Sequence, residues 1–169
     1  DNSALSETFI QNHIDYFDTP VYNINAIAPN YRDNGIYIWR RIVNKLKFIQ
    51  AQRKLKKIQT KYGINCVLAE YGMVGAQIYY LCKKNNIPLI VHFHGHDAHR
   101  ESVLASYTAR YKEMFNYASA IIVVSNSMKQ SLLSIGASNE RLFLNGYGVD
   151  LNKFIYKERD AQSKQIFAV

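Results

Sequence analysis

The sequence of 169 residues has few cysteines, no long apolar run and, over one extended stretch, no acidic residue. The two cysteines, Cys66 and Cys82, are too few for a disulfide scaffold and predict reduced thiols in a cytosolic protein. No run of 18 apolar residues occurs, which argues against a membrane-spanning helix. No basic and then apolar leader follows Asp1, so the sequence predicts no signal peptide.

The composition predicts a folded domain with a substantial core. Apolar residues make up 48% of the chain and charged residues 20%, a balance that excludes extensive disorder. The length fits one domain of ordinary size, or one domain together with a small part of a second.

The net charge of +8 comes from residues 40–61, a stretch without acidic residues. The other 12 basic and 13 acidic residues nearly cancel. The nine basic residues of the stretch are Arg40, Arg41, Lys45, Lys47, Arg53, Lys54, Lys56, Lys57 and Lys61. Apolar residues recur at helical spacing through it, which predicts a basic amphipathic helix. The apolar stripe comprises Trp39, Ile42, Val43, Leu46, Ile49, Leu55 and Ile58.

Three interpretations of this basic helix stay open. It is a solvated surface helix, a helix attracted to an anionic membrane face, or a surface that contacts nucleic-acid phosphates. Nucleic acid is the least favoured partner because no zinc-ligand spacing and no base-stacking motif accompanies the charge.

From residue 65 onward, short apolar runs alternate with helical segments. The predicted strands are 65–69, 87–93, 120–124 and 141–144. Strands that are apolar throughout and alternate with helices indicate an α/β fold, a parallel sheet with helices on both faces. A capping box of Ser127 and Gln130 is predicted to begin the last helix. Nearer the start, a helix over 6–17 and a strand over 21–27 are expected.

The last residues change character. Residues 156–164 are polar and charged and predict a linker, and residues 165–169 begin a new apolar run. We therefore expect one Rossmann-like domain over 1–155, followed by a linker and the first strand of a second domain over 156–169.

In an open parallel sheet, ligands bind beyond the carboxyl ends of the strands, so the strand-to-helix turns are the candidate sites. In the first turn, Glu70 can bind sugar hydroxyls or cap a helix, and the glycines beside it, Gly72 and Gly75, allow close backbone approach. In the third, Ser125 stands where a helix amino end can hold a hydroxyl or an anion, or where it serves only as the helix cap.

The second turn holds four of the five histidines within residues 92–99. His94 and Asp97 are expected at the rim, where an imidazole and a carboxylate can orient a hydroxyl or take its proton. His92 is interpreted as a core residue and His99 as a helix cap. A zinc site is the alternative, because histidines two apart on a strand are good ligands. The segment departs from the His-x-His-x-Asp-His pattern of metallo-β-lactamase-like hydrolases, so no metal is expected.

These pieces in this order resemble the amino-terminal half of a family 4 glycosyltransferase. The matching segments are Ser6-Glu7-Thr8-Phe9-Ile10, Glu70-Tyr71-Gly72 with Gly75, His94-Gly95-x-Asp97, Ala120-x-x-Val123-Val124-Ser125 and Gly148-Val149-Asp150-Leu151-x-x-Phe154. The resemblance implies a GT-B architecture, in which two Rossmann-like domains face each other across a cleft. The amino-terminal domain holds the acceptor and the carboxy-terminal domain holds a nucleotide-diphosphate sugar. The family's first strand would precede Asp1.

The resemblance also implies roles for single residues. His94 and Asp97 would be catalytic, His94 near the reacting sugar and Asp97 in contact with the acceptor. The expected acceptor-binding residues are Glu70, Gly72, Gly95 and Ser125, and the expected donor-side loop is Tyr147, Gly148 and Asp150. Tyr147 stands where many family members have asparagine.

The activity implied is retaining, hexosyltransferase-type transfer to a glycan or a lipid-linked acceptor, without a tightly bound cofactor or metal. The basic helix then fits a cytoplasmic enzyme that builds a lipid-linked polysaccharide at the inner membrane face. Without the donor-binding domain the chain is expected to be inactive. The alternatives are a non-catalytic domain that binds a glycan or a partner and, less favoured, a metal-dependent hydrolase.

Overall fold

The computed structural model describes residues 10, 14–15, 17–22, 38–148 and 151–152, with the backbone alone for residues 38–44. From residue 38 onward the α-helices are α1 Ile38–Tyr62, α2 Gly72–Asn85, α3 His96–His99, α4 Glu101–Tyr117 and α5 Asn126–Ser134. The strands are β1 Val67–Glu70, β2 Leu89–His92, β3 Ala120–Val123 and β4 Leu142–Leu144, the last preceded by a 3-10 turn at Asn139–Arg141.

The four strands form one parallel sheet in the order β1-β2-β3-β4. The predicted Rossmann-like α/β fold is therefore confirmed. Because each strand pairs with its successor and parallel crossovers are right-handed, α2, α4 and α5 lie on the same face of the sheet. On that face Val91 and Ile121 are fully buried, whereas their strand neighbours Ile90 and Ile122 on the other face are only half-buried by the described residues.

The main core lies between the sheet and helices α2 and α4. Its largest side chains include Phe93 and Tyr111, whose rings meet edge to face with their centroids 5.4 Å apart. The Tyr111 hydroxyl donates a hydrogen bond of 3.1 Å to the carbonyl oxygen of Asp97, so the core directly supports the turn after β2. Burial, and then the charge of Asp97, raises the pKa of Tyr111, which keeps this donor protonated.

The basic segment forms the predicted helix, and Gly63 follows it with φ of +64°. The predicted apolar stripe is partly wrong, because Leu46 is 54% exposed. The helix packs through Phe48, Ala51, Leu55 and Ile58 against Leu81 and Ile87. Residues 48, 51, 55 and 58 recur at the helical period, which places them on one side. The cluster that the helix joins also includes Ile78 of α2 and Val67 of β1, and the buried stripe therefore lies on a different side of the helix from the predicted one.

The start of the last helix also differs from the prediction. Ser125, not Ser127, is the N-cap of α5, and its hydroxyl oxygen accepts a hydrogen bond from the backbone N–H of Met128 at 3.2 Å. Ser127 lies inside the first turn of the helix. An N-cap residue needs extended backbone geometry, and Ser125 has it, with φ of −150° and ψ of 157°.

Several predictions concern residues that lie wholly or partly outside the described ranges. Of the helix expected over 6–17, Ile10, Ile14 and Asp15 are helical. Of the strand expected over 21–27, Val21 and Tyr22 are described and are not in a strand. The proposed linker and second-domain strand, Asp150 and the side chains of Arg40 and Arg41 are outside.

Both cysteines are free thiols, Cys66 exposed and Cys82 buried. Burial raises the pKa of the Cys82 thiol to about 12, so this thiol stays protonated and inert at neutral pH. Among the described residues, no helix combines the length and the apolarity that crossing a membrane requires.

Candidate functional site

The carboxyl ends of β1 and β2 bring three polar side chains together. Glu70 ends β1 and His92 ends β2, and the two residues are direct partners in the sheet. His94 follows two residues later. Residues paired in a parallel register point to the same face. Glu70 and His94, which the sequence analysis assigns to two strand-to-helix turns, therefore lie at the same edge of the sheet.

A single carboxylate oxygen joins the two imidazoles. Glu70 Oε2 lies 2.7 Å from Nε2 of His94 and 3.2 Å from Nδ1 of His92. The histidine side chains are 3% exposed and that of Glu70 is 16% exposed. His92 is buried, in agreement with its interpretation as a core residue, but it also contacts the site. An ionised carboxylate can only accept a hydrogen bond, so His94 presents Nε2–H to Glu70.

The other nitrogen of His94 contacts Tyr147, which belongs to the segment that follows β4. The Tyr147 hydroxyl forms a hydrogen bond with Nδ1 of His94, and the two rings are nearly parallel with their centroids 6.0 Å apart. Partial burial, followed by the negative charge of Glu70, raises the pKa of Tyr147 to about 12. The phenol is therefore protonated at neutral pH and can donate its hydrogen bond to Nδ1 of His94.

The sequence analysis expects Asp97 at the rim of the site, and this prediction is wrong. The Asp97 side chain is fully buried. Its Oδ2 accepts a hydrogen bond from the backbone N–H of Gly72 at 2.6 Å, and its Oδ1 accepts one from the backbone N–H of His94 at 2.9 Å. The carboxylate thus fastens the turn after β1 to the turn after β2. A buried carboxylate needs such donors, and these two backbone amides supply them. This buried position argues against direct contact of Asp97 with an acceptor.

Gly72, Gly95 and Tyr71 determine the backbone conformation of the two turns beside His94. A Cβ on Gly72 would lie 2.1 Å from the ring of Phe93, so no side chain fits there. Gly95 has φ of +109°, a conformation that glycine adopts without strain. Tyr71 has φ of +75°, which is rare for a bulky residue, and its ring lies 4.6 Å from that of His94.

The other predicted site residues have weaker links to this cluster. The Ser125 hydroxyl serves as the cap of α5, which is one of the two roles that the sequence left open. Gly148 follows Tyr147 in the segment after β4, and a Cβ there would meet nothing within 4 Å. Asp150 is outside the described residues, so its place in a donor-side loop stays a prediction.

Sequence reasoning did not include Tyr71 and His92 among the site residues. Tyr71 was visible only as a member of the first turn, and nothing in a tyrosine indicates a positive φ. His92 was assigned to the core because alternation along a strand does not reveal which residue lies across from it. The pairing of His92 with Glu70 depends on the register of β1 with β2.

Glu70, His92 and His94 also form a set of metal-ligand type. One ligand atom from each of the three side chains lies within 4.8 Å of the others. The sequence showed the two histidines two apart, but the carboxylate comes from a different strand.

The basic helix presents its charge to solvent. Seven basic side chains of α1 are exposed, namely Lys45, Lys47, Arg53, Lys54, Lys56, Lys57 and Lys61. Aromatic rings lie among the cations, since Lys61 Nζ is 4.7 Å from the ring centroid of Tyr62 and Lys84 Nζ is 5.4 Å from that of Tyr80. Tyr62 and Tyr80 are 40% and 43% exposed. The surface is therefore cationic and aromatic at once.

Comparison with protein families agrees with the fold. No curated protein matches the chain. The family model described as Glycosyltransferase Family 4 matches residues 18–153, which is most of the sequence and contains Glu70, His94 and Tyr147. The chain belongs to glycosyltransferase family 4.

Proposed function

We propose that this chain forms the acceptor side of a retaining, hexosyltransferase-type enzyme that moves a sugar from a nucleotide-diphosphate sugar to a glycan or a lipid-linked acceptor. Membership of the family supports glycosyl transfer in general. The observation that carries the acceptor role is the contact of His94 with both Glu70 and Tyr147 at the carboxyl edge of the sheet.

His94 is the residue that would meet the acceptor. Its Nε2–H is held by Glu70, and this leaves Nδ1 as the hydrogen-bond acceptor. Tyr147 donates its hydroxyl proton to that nitrogen, so a hydroxyl already stands where a sugar hydroxyl would bind. When the acceptor replaces the phenol, its hydroxyl is oriented toward the cleft, and the Glu70 carboxylate stabilises any positive charge that His94 acquires.

Asp97 acts on this site through the backbone and is a positioning residue. It holds the amide of His94 and the amide of Gly72, and thereby fixes both turns that line the acceptor pocket. An acceptor misplaced by one ångström would lose much of the rate, so rigid turns serve catalysis without touching the substrate.

The donor would be held by a second domain that follows residues 1–155 and begins within residues 156–169. Closure of the two domains would exclude water and bring the anomeric carbon to the acceptor oxygen. That oxygen forms the new bond to the anomeric carbon as the bond to the diphosphate oxygen breaks. The diphosphate leaves with the electron pair, and the hydroxyl proton passes to His94 or to the departing phosphate.

The basic helix would place this chemistry at an anionic membrane face on the cytoplasmic side, where a lipid-linked polysaccharide grows. The exposed lysines of α1 supply long-range attraction. The exposed rings of Tyr62 and Tyr80 suit the headgroup region, because tyrosine has an apolar body and a polar tip.

The proposal is tested on the full-length protein with a panel of labelled nucleotide-diphosphate sugars and of lipid-linked and free glycan acceptors. We expect transfer from one donor, a product with the anomeric configuration of the donor by NMR, and no loss of rate after chelation of divalent metals. Glycan binding without transfer from any donor would replace this proposal with the non-catalytic alternative. Hydrolysis that requires a metal would also overturn it.

A further inference from the structure

We infer that Glu70, His92 and His94 form a binding site for a divalent transition-metal ion, with zinc as the ion that fits best. The site goes beyond the proposed transfer reaction, which does not use a metal. Its basis is that one carboxylate oxygen and two imidazole nitrogens already converge within 4.8 Å of one another.

The chemistry of the three donors selects the ion. Two imidazoles and one carboxylate are a common set for zinc sites that keep one coordination position open. Magnesium and calcium prefer oxygen ligands, usually with several carboxylates or waters, and this cluster offers a single carboxylate. Other divalent ions of the first transition row also accept mixed nitrogen and oxygen ligands.

The distances need only a small adjustment. Zinc ligands at about 2.0–2.1 Å in tetrahedral geometry lie about 3.3 Å from each other. Glu70 Oε2 is already 3.2 Å from Nδ1 of His92, and 2.7 Å from Nε2 of His94. Separating the second pair by about half an ångström would bring it to this spacing, and the two imidazole nitrogens lie within 4.8 Å of each other.

The residues around His94 hold it in place as a ligand. Metal-bound histidines generally place their second nitrogen against a hydrogen-bond partner, which fixes the ring. His94 has such a partner in the Tyr147 hydroxyl, and its backbone N–H is held by Asp97. On ion binding, Nε2 of His94 gives up its proton and coordinates. Nδ1 then carries a proton, which it donates to the phenol oxygen of Tyr147.

Both histidine side chains are 3% exposed. Low exposure excludes competing water and strengthens the attraction between the ion and the carboxylate. If the proposed function holds, an ion here would also take His94 away from the acceptor and slow transfer. That consequence rests on the proposed function, whereas the binding itself does not.

The test is a titration of the full chain, free of metal, with Zn²⁺ by calorimetry and with Co²⁺ by visible absorption, which reports tetrahedral coordination. We expect one ion per chain. His94→Ala and Glu70→Gln should each weaken binding by about tenfold or more and abolish the tetrahedral cobalt band. Tyr147→Phe, which removes only the hydroxyl that contacts His94, should weaken binding by about tenfold because the ring loses its hydrogen-bond partner.

Matched controls come from the same turn and from the exposed thiol. The double variant His96→Ala/His99→Ala and the variant Cys66→Ser should bind like the original chain, since these three side chains are exposed and lie outside the cluster. The inference is overturned if the original chain binds no ion, or if both Glu70→Gln and Tyr147→Phe bind within twofold of it. It is equally overturned if the control variants lose the ion.

Discussion

Asp97 is the residue on which the two turns of the site depend. Both of its carboxylate oxygens accept backbone hydrogen bonds, one from Gly72 and one from His94, and the side chain is fully buried. Removal of a buried acceptor leaves its donors without a partner, and each such donor lowers stability.

We therefore predict that Asp97→Ala lowers the free energy of unfolding by about 1–3 kcal/mol or more. Asp97→Asn should cost less, because the amide oxygen still accepts one of the two bonds. Urea unfolding followed by circular dichroism measures the difference. The control is Glu140→Ala, which removes an exposed carboxylate and should leave the unfolding free energy nearly unchanged. Equal stability of Asp97→Ala and Glu140→Ala would contradict this role.

Gly72 is required by its neighbour in the core and not by its backbone angles. A methyl group at this position would lie 2.1 Å from the ring of Phe93, far inside contact distance. We predict that Gly72→Ala destabilises the protein by about 1–3 kcal/mol, as overpacking of a core generally does.

Gly146→Ala is the matched control for this change. Its added Cβ would meet only the carbonyl oxygen of Val124, at 3.8 Å. Thermal unfolding of the two variants should separate them clearly. Similar melting temperatures for both would show that Phe93 moves aside without cost.

At the scale of elements, α1 packs against the rest of the domain through a small hydrophobic cluster that is separate from the main core. Leu55 is fully buried between Leu81 and Ile87, which belong to α2 and to the segment before β2. This cluster is the contact that holds the basic helix against the sheet domain, so its loss should loosen α1 before it affects the central strands.

We predict that Leu55→Ala lowers the free energy of unfolding by about 2–5 kcal/mol, the usual cost of emptying a buried leucine site. Leu46→Ala on the same helix should have little effect, because Leu46 is 54% exposed. Hydrogen exchange would show the α1 amides exchanging faster in Leu55→Ala. Unchanged exchange in α1 and equal stability of the two variants would refute the docking described here.

The elements show why the sequence predicted so much of this fold. The four apolar runs became the four strands. Strands of a parallel sheet are ordinarily covered on both faces and are therefore apolar along their length. The meeting of Glu70 with His94 was predictable from the same pattern, since parallel strands end at one edge.

What the sequence did not predict depends on contacts between elements. The buried side of α1 includes Phe48 and not the predicted Leu46, because the helix packs on α2. Helical periodicity does not identify the element against which a helix packs. Burial of Asp97 depends on two backbone amides 25 and 3 residues away in the chain. The positive φ of Tyr71 has no signature in residue type.

At the scale of the whole molecule, the charge is divided unevenly. The net charge is +8, and nine of the 21 basic residues lie within residues 40–61, which contain no acidic residue. An asymmetric charge attracts an anionic surface from one side and so orients the molecule on it. The aromatic rings beside these cations add short-range contact.

We predict that the protein binds vesicles containing anionic lipid and that binding weakens as salt rises toward 0.5 M, about where screening becomes strong. Lys54→Glu/Lys57→Glu should weaken binding by about tenfold or more, since each lysine near such a surface contributes about 1 kcal/mol. Lys112→Glu/Lys129→Glu changes the net charge equally but lies on α4 and α5. Co-sedimentation measures both. Equal loss in the two variants would show that net charge alone matters, and α1 would not be the binding surface.

The whole account depends on His94 as the group that faces the acceptor. The most direct measurement is the turnover of His94→Ala in the full-length enzyme, compared with that of His99→Ala, an exposed histidine of the same segment. We predict that His94→Ala reduces turnover by about tenfold or more, in line with the usual contribution of a positioned acid or base, while its melting temperature stays close to that of the original protein. His99→Ala should retain the original rate. A fully active His94→Ala enzyme would contradict the central claim.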